Sequence, residues 1–402
     1  MKYRIQTGYL IDGENPPKKD IQIDIEDKKI KNLSEIHNKN SKEKTFDEVI
    51  DAKKYTVLPG LIDTHVHITL FPGYINLNVY NNEWAREWLK EKKEFIVLKS
   101  AENARKMLLS GVTTARDCGS YSDIIFILRD AINRGLITGP RLVISGNAIT
   151  ITGGHLHFMG LKADSILELI KAVRLMNELG ADFIKLMSTG GRMTASSDSR
   201  RVQYSLDEIR AVVEEAHENG MKVAAHALGT EGIINSVRAG VDTIEHCPWF
   251  DRVEGFNFKE EILPEMLKNK IYVNPILLAA FVSNTASDFE ERMKWMRIKY
   301  QAGIKMIAGT DAGLRLVDFD QLWFAIKLLA DQIGLTNYEA IKAGTSEAAR
   351  ALGIDEEVGT IEKGKVADLI VVNGNPLKDL EVLKRIVMII KEGNIVYRDN
   401  NI

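Results

Sequence analysis

At 402 residues, with 45% hydrophobic and 27% charged side chains, the chain is long enough for an α/β barrel of roughly 250 residues plus a second module. Lysine plus arginine (53) nearly balance aspartate plus glutamate (56), a formal net charge of -3 that gives no support to nucleic acid or an anionic membrane as partner. Cys118 and Cys247 are too few for a disulfide framework or a thiolate metal site, which fits a reducing cytoplasm.

From the N-terminus, Met1 to Gly13 alternates charged and apolar residues without the apolar run of a signal peptide. No stretch approaches the length that spans a bilayer, so a cytoplasmic protein with no membrane partner is expected. Ile21, Ile23 and Ile25 alternate with polar residues, the period of a half-buried strand. A Lys/Asn-rich solvated loop from His37 to Lys44 follows, and strand character returns at Val49–Ile50 and Val57–Leu58.

From Pro59 short apolar strands alternate with helical segments, the signature of βα units. Eight strands are expected, at Leu61–Ile68, Thr113–Asp117, Leu142–Ser145, Phe183–Met187, Val223–Ala227, Thr243–His246, Ile271–Val273 and Lys305–Ala308. Ser205-Leu206-Asp207-Glu208 reads as a capping box whose helix closes at Gly220, and Thr336-Asn337-Tyr338-Glu339 reads as a second. Repeats of this number match a closed barrel better than an open sheet, and no GxGxxG follows the first strand to suggest a dinucleotide. Beyond them, Val366–Val372, Ile386–Ile390 and Ile395–Tyr397 are β-type, the last two joined through the turn Glu392-Gly393-Asn394. The expected fold is therefore a (β/α)8 barrel over 59–354, with a small β-sandwich built from 1–58 and 355–402.

The informative fact is where the polar residues sit. A residue at the C-terminal end of a barrel strand faces the catalytic mouth. Strand one ends in His65-Val66-His67, two imidazoles on one side of a strand. Strand four carries Lys185, strands five and six end at His226 and His246, and strand eight runs into Asp311. Taken singly, each has an ordinary reading: a hydrogen-bonded histidine, an ion-paired lysine, a helix-capping aspartate. Strand ends one, four, five, six and eight, in barrel order, are hard to fill this way by accident. Imidazole and carboxylate together suit zinc and similar divalent ions.

Over nearly its whole length the sequence resembles the amidohydrolase superfamily. Leu58-Pro59-Gly60-Leu61-Ile62-Asp63-Thr64-His65-Val66-His67 looks like that family's strand-one signature, and Ala308-Gly309-Thr310-Asp311-Ala312 like its strand-eight signature. The run from Gly359 to Leu369 looks like the tail completing its β-sandwich. Ile151-Thr152-Gly153-Gly154-His155, and Gly180 to Lys185 followed by Thr189-Gly190-Gly191, are similar to the prolidase-like branch, which includes Xaa-Pro dipeptidases and relatives of imidazolonepropionase.

The resemblance implies two divalent ions, zinc first among them. His65, His67 and Asp311 would hold the more buried ion, and His226 and His246 the more exposed one. Lys185 would bridge them as a carbamate formed with carbon dioxide, a reaction that needs a neutral amine, which burial beside cations favours. Such a metal pair generates hydroxide at neutral pH and polarises a carbonyl. Asp311 would take the proton of the attacking water and hand it to the leaving amine.

Other residues extend the site. The Gly-Gly before His155 allows close backbone approach, so His155 is expected on the substrate carbonyl. The loop after strand four carries Arg192, Arg200 and Arg201 and ends at Tyr204. Its guanidinium groups match a carboxylate, with Arg200 or Arg201 favoured over Arg192 and Tyr204 helping through its hydroxyl. Phe71 to Trp88, aromatic and Asn-rich, is a surface loop covering the barrel or a lid over the substrate. Cys247, His157 and His217 are read as structural. The expected function is hydrolysis of an amide bond in a small molecule, a dipeptide or N-acyl amino acid, by a homo-oligomer. A cyclic amide or lactone is the alternative substrate, and a non-catalytic scaffold the alternative class.

Overall fold

The computed structural model describes residues 2–36, 45–70, 88–281, 286–314, 317–400 and 402. Of the Phe71 to Trp88 stretch, only Trp88 falls within the described residues; it is buried, with its ring edge-on to Tyr121.

Four strands open the chain: β1 (Lys2–Leu10), β2 (Lys18–Glu26), β3 (Lys29–Glu35) and β4 (Glu48–Pro59). On β1, Tyr3, Ile5 and Thr7 are buried while Lys2, Arg4 and Gln6 are only partly so, the period of a sheet with one packed face. The barrel strands follow as β5 (Leu61–Val66), β6 (Val112–Asp117), β7 (Arg141–Ile144), β8 (Ile149–Thr150), β9 (Leu161–Lys162), β10 (Phe183–Met187), β11 (Lys222–Gly229), β12 (Thr243–Phe250) and β13 (Tyr272–Asn274). The chain then returns to the terminal sheet with β14 (Leu369–Val372), β15 (Ile386–Lys391) and β16 (Asn394–Arg398).

Both termini contribute to one seven-stranded sheet, in the order β16-β15-β14-β4-β1-β2-β3. Its link is β4, twelve residues long. The greater part of it runs parallel to β1, and its last residues, Thr56 to Pro59, pair antiparallel with β14. This sheet has its own apolar core, including Tyr3, Ile5, Ile23, Ile50, Leu369 and Met388.

The parallel strands close into a barrel. β5-β6-β7 form one ladder and β8 and β10 to β13 another, with short β9 beside β8. Asp182, just before β10, joins them: its N–H donates to the Ile144 carbonyl (2.7 Å) and its carboxylate accepts from the Ile144 N–H (2.8 Å). On the other side the expected eighth strand, Lys305–Ala308, is reduced to isolated bridges at Met306 and Ala312. It still closes the ring, since Val273 N–H donates to Lys305 O (2.9 Å) and Thr64 N–H to Ala308 O (3.1 Å). Within that segment the Ala308 N–H donates to Ala343 O (2.9 Å) rather than to a neighbouring strand. Just beyond, the Asp63 carboxylate accepts from Thr310 N–H (3.1 Å) and Thr310 Oγ1 (2.7 Å).

β5, β6 and β10 are buried at every position, as strands covered on both faces must be. The helices supply that cover with single apolar stripes. Helix Ile166–Glu178 buries Leu169, Ala172, Val173 and Met176, and helix Leu206–Glu218 buries Ile209, Val212, Val213 and Ala216, both at i, i+3, i+4, i+7 spacing. Each large side chain so buried contributes roughly 1.5–3 kcal/mol. Both capping boxes form, Ser205 with Glu208 and Thr336 with Glu339. Among the described residues no helix is long and apolar enough to cross a membrane.

Candidate metal centre

At the end of β5, His65 and His67 lie with ring centroids 5.3 Å apart. Their tautomers follow from their partners. His67 Nδ1 lies 2.9 Å from the Gly119 carbonyl, which can only accept, so in the neutral ring Nδ1 carries the proton and Nε2 keeps its lone pair. His65 Nδ1 lies 2.7 Å from Glu245 Oε2, with the same consequence for its Nε2. Glu245, on β12, is fully buried and also accepts from Arg116 (2.6 Å), Asn274 (2.9 Å) and Thr243 (2.7 Å). Burial pushes its carboxyl up, but the Arg116 guanidinium and His65 outweigh that and hold it well below the usual carboxylate range.

Asp311 takes a left-handed backbone conformation, φ +65°, fixed by its N–H donating to His65 O (2.8 Å). Its Oδ1 lies 3.4 Å from Nε2 of both His65 and His67, yet has no hydrogen-bond partner among the described residues. The ligand atoms of these three buried residues all fall within 4.8 Å of one another. Two lone pairs and a carboxylate converging this way lack only a cation. Burial raises the Asp311 carboxyl, while His67, His65 and His246 more than reverse it, so it stays ionised.

β11 and β12 bring the remaining imidazoles. The β11–β12 register sets Ala227 opposite His246, and the rings of His226 and His246 are 4.7 Å apart. His246 is 5.7 Å from His65. Burial first, then the neighbouring imidazoles and Lys185, keep His226 well below its usual titration range; His246 is lowered likewise despite Asp311. Neutral imidazole is the form that binds a metal. Lys185 on β10 is 1% exposed, and its Nζ has no hydrogen-bond partner among the described residues. An amine buried without a partner is expensive. These residues therefore fit a group that supplies cations to the rings and a bond to the lysine nitrogen.

All six expected ligands, His65, His67, Lys185, His226, His246 and Asp311, line one pocket together with His155 and Arg192. His155 is buried, and its ring lies 4.5 Å from that of His226. It packs against the backbone of Gly191, where a Cβ would come within 2.4 Å of the imidazole.

The other expected substrate contacts need correction. Tyr204 is buried away from the pocket and donates its hydroxyl to Ala163 O (2.9 Å). Arg201 is exposed, 3.6 Å from Asp198, and Arg200 borders a separate neighbouring hollow. The reason is the loop's path: Gly190 N–H donates to Arg201 O (3.0 Å) and Thr189 bridges Val202, folding the chain back on itself. Arg192, ranked last from sequence, is the one that reaches the pocket, lying over the Phe250 ring at 4.8 Å. Cys247 and Cys118 are buried free thiols, His157 is bonded to Gly154 O, and His217 pairs with Asp242 on the surface.

Sequence reasoning missed Glu245, Gln203 and Arg292. Gln203 accepts the His155 N–H (2.7 Å) and donates to Met187 O (2.8 Å), tying His155 to β10. Arg292, from helix Ala286–Gln301, is buried and lines the pocket.

Comparison with known proteins agrees with this geometry. The amidohydrolase family matches residues 56–396. Ochratoxinase of Aspergillus niger is 28% identical, over 94% of this chain and 83% of its own. A crystal structure of a Xaa-Pro dipeptidase with methionine bound in its active site superposes with a TM-score of 0.86 at 30% identity, covering 99% of this chain and all of that one (100%). A prolidase complexed with N-methylphosphonate-L-proline superposes with a TM-score of 0.82 at 27% identity, over 99% and 100% of the two chains.

Proposed function

This chain belongs to the amidohydrolase family, and from that premise we propose that it is a binuclear metal-dependent hydrolase of the amide bond in a dipeptide or N-acyl amino acid. The observation that carries the reading is the buried, partnerless Lys185 amine in a pocket lined by His65, His67, His226, His246 and Asp311. The dipeptidase and prolidase likenesses support the substrate class.

In this reading His65, His67 and Asp311 would hold one ion, and His226 and His246 a second. Lys185 would join the ligand set as a carbamate, its nitrogen adding to the carbon of carbon dioxide with release of one proton. Divalent ions bound there would polarise the scissile carbonyl and acidify water. The side chains do the rest. Ionised Asp311 accepts the proton of the attacking water and delivers it to the departing nitrogen. His155, fixed by Gln203 and Gly191, orients the substrate carbonyl oxygen. Leu156, Met193, Phe250 and Leu314 give the pocket an apolar wall that limits water around the reacting bond.

The test is a library of dipeptides and N-acyl amino acids incubated with zinc-loaded protein, with lactones and cyclic amides in parallel. Hydrolysis of the linear amides is expected. A fully metallated enzyme that ignores them and opens lactones or cyclic amides instead would overturn the proposed substrate class.

A further inference from the structure

We propose that Arg292 is the specificity-determining residue of this pocket, binding a free carboxylate next to the scissile amide; the proposal rests on the amide-hydrolase reading above. Arg292 is 5% exposed and lines the same pocket as the six ligand residues. Its Nη2 donates to the His246 carbonyl (3.2 Å) and to the Pro275 carbonyl, which anchors the guanidinium beside the metal-site residues. Its Nε has no hydrogen-bond partner among the described residues.

Carbonyl oxygens orient a guanidinium but do not neutralise it. A buried charge is ordinarily matched by an opposite one, since removing it from water unpaired costs several kcal/mol. The one carboxylate among the described residues lining that pocket, Asp311, is turned to His65 and His67, and a second cation, Arg192, lines the same pocket from the loop after β10. A buried guanidinium on such a wall makes an anion the natural occupant. A planar carboxylate matches the guanidinium fork better than any neutral group does.

The remaining wall narrows the class further. Leu156, Met193, Phe250 and Leu314 are apolar, and Ala279 and Ala280 add small side chains to the same lining. A substrate with its carboxylate on Arg292 presents an uncharged, apolar side chain to this surface. The predicted class is an N-acyl amino acid, or a dipeptide with a free C-terminus, whose released residue is apolar. Arg292 rather than Arg192 is the anchor because it is buried and held by two carbonyls, whereas Arg192 is only partly buried on a loop.

The experiment compares N-acetyl-L-phenylalanine with N-acetyl-L-phenylalaninamide in the wild type, Arg292→Gln and Arg292→Lys, with metal content measured in each. A charge-assisted contact of this kind gives the wild type about a ten- to hundredfold preference in kcat/KM for the acid. Arg292→Gln should erase that preference, chiefly through KM for the acid, with metal content unchanged, and Arg292→Lys should restore part of it. Equal losses on both compounds would make Arg292 a mere prop for His246 and overturn the proposal, as would a wild type indifferent to the carboxylate. If the metallated wild type cleaves neither compound, the amide-hydrolase reading is what fails. Calorimetric binding of L-phenylalanine then still decides the point: tenfold or more weakening in Arg292→Gln supports the anchor, and equal affinity overturns it.

Discussion

Glu245 is the residue on which His65 depends. It adjoins His246 in sequence but, by strand alternation, points the other way, behind the imidazole of His65 rather than into the pocket. Replacing it by glutamine keeps the shape and removes the charge that Arg116 and His65 share. A partner behind a metal-bound imidazole is worth about 10–100-fold in metal affinity. Glu245→Gln should therefore weaken zinc binding by about that factor, read by competition with a chelator. Unchanged affinity would reduce Glu245 to a structural carboxylate. At this scale the gathering of the four imidazoles, Lys185 and Asp311 around one pocket was legible because strand ends fix where side chains point. The arginines of the loop after β10 were not, because a loop's direction is set by tertiary bonds such as Gly190 to Arg201. Glu245 left a usable signal: a carboxylate inside an apolar strand needs a partner.

The end of β12 is the most strained element near the site. His246, Cys247 and Trp249 all have positive φ (+70°, +51° and +68°), a conformation worth about 1–3 kcal/mol each for residues with side chains. Two buried cations of helix Ala286–Gln301 hold it: Arg292 on the His246 carbonyl, and Lys299 on the Cys247 carbonyl at 2.7 Å. Nothing in the amphipathic period of that helix announces this, because the bonds go to carbonyls remote in sequence. Burial brings Lys299 down from 10.5 to about 8, with Arg292 adding to the effect. Below pH 8 both folded and unfolded chains carry the charge, and folding bears its full desolvation. Between about 8 and 10.5 the unfolded chain keeps a proton that the folded one sheds, so stability rises with pH, by on the order of 3 kcal/mol from this group. Urea unfolding of the wild type and Lys299→Met at pH 7.5 and 10 should show the wild type gaining relative to the variant as pH rises. Parallel behaviour would mean that Lys299 titrates normally.

Over the whole molecule, the alternation of apolar strands and capped helices was enough to anticipate a barrel, since a parallel sheet needs its crossover helices. The return of β-type segments after 355 anticipated the shared terminal sheet. Less visible was β4, one strand serving β1 along most of its length and β14 at its end, because pairing partners leave no mark on a strand's own period. The eighth strand, expected at Lys305–Ala308, closes the ring through an isolated bridge at Met306, because its Ala308 N–H turns to Ala343 O, a partner its own period does not reveal. The barrel matters to function because it carries Lys185 into a buried position among four imidazoles contributed by β5, β11 and β12. The measurement that tests this most directly is metal stoichiometry, with the native mass of the intact, folded, metal-loaded chain, on protein prepared with zinc and bicarbonate. Two ions per chain and a Lys185 heavier by one carbon dioxide are predicted. A single ion, or none, beside an unmodified Lys185 amine would contradict the binuclear site.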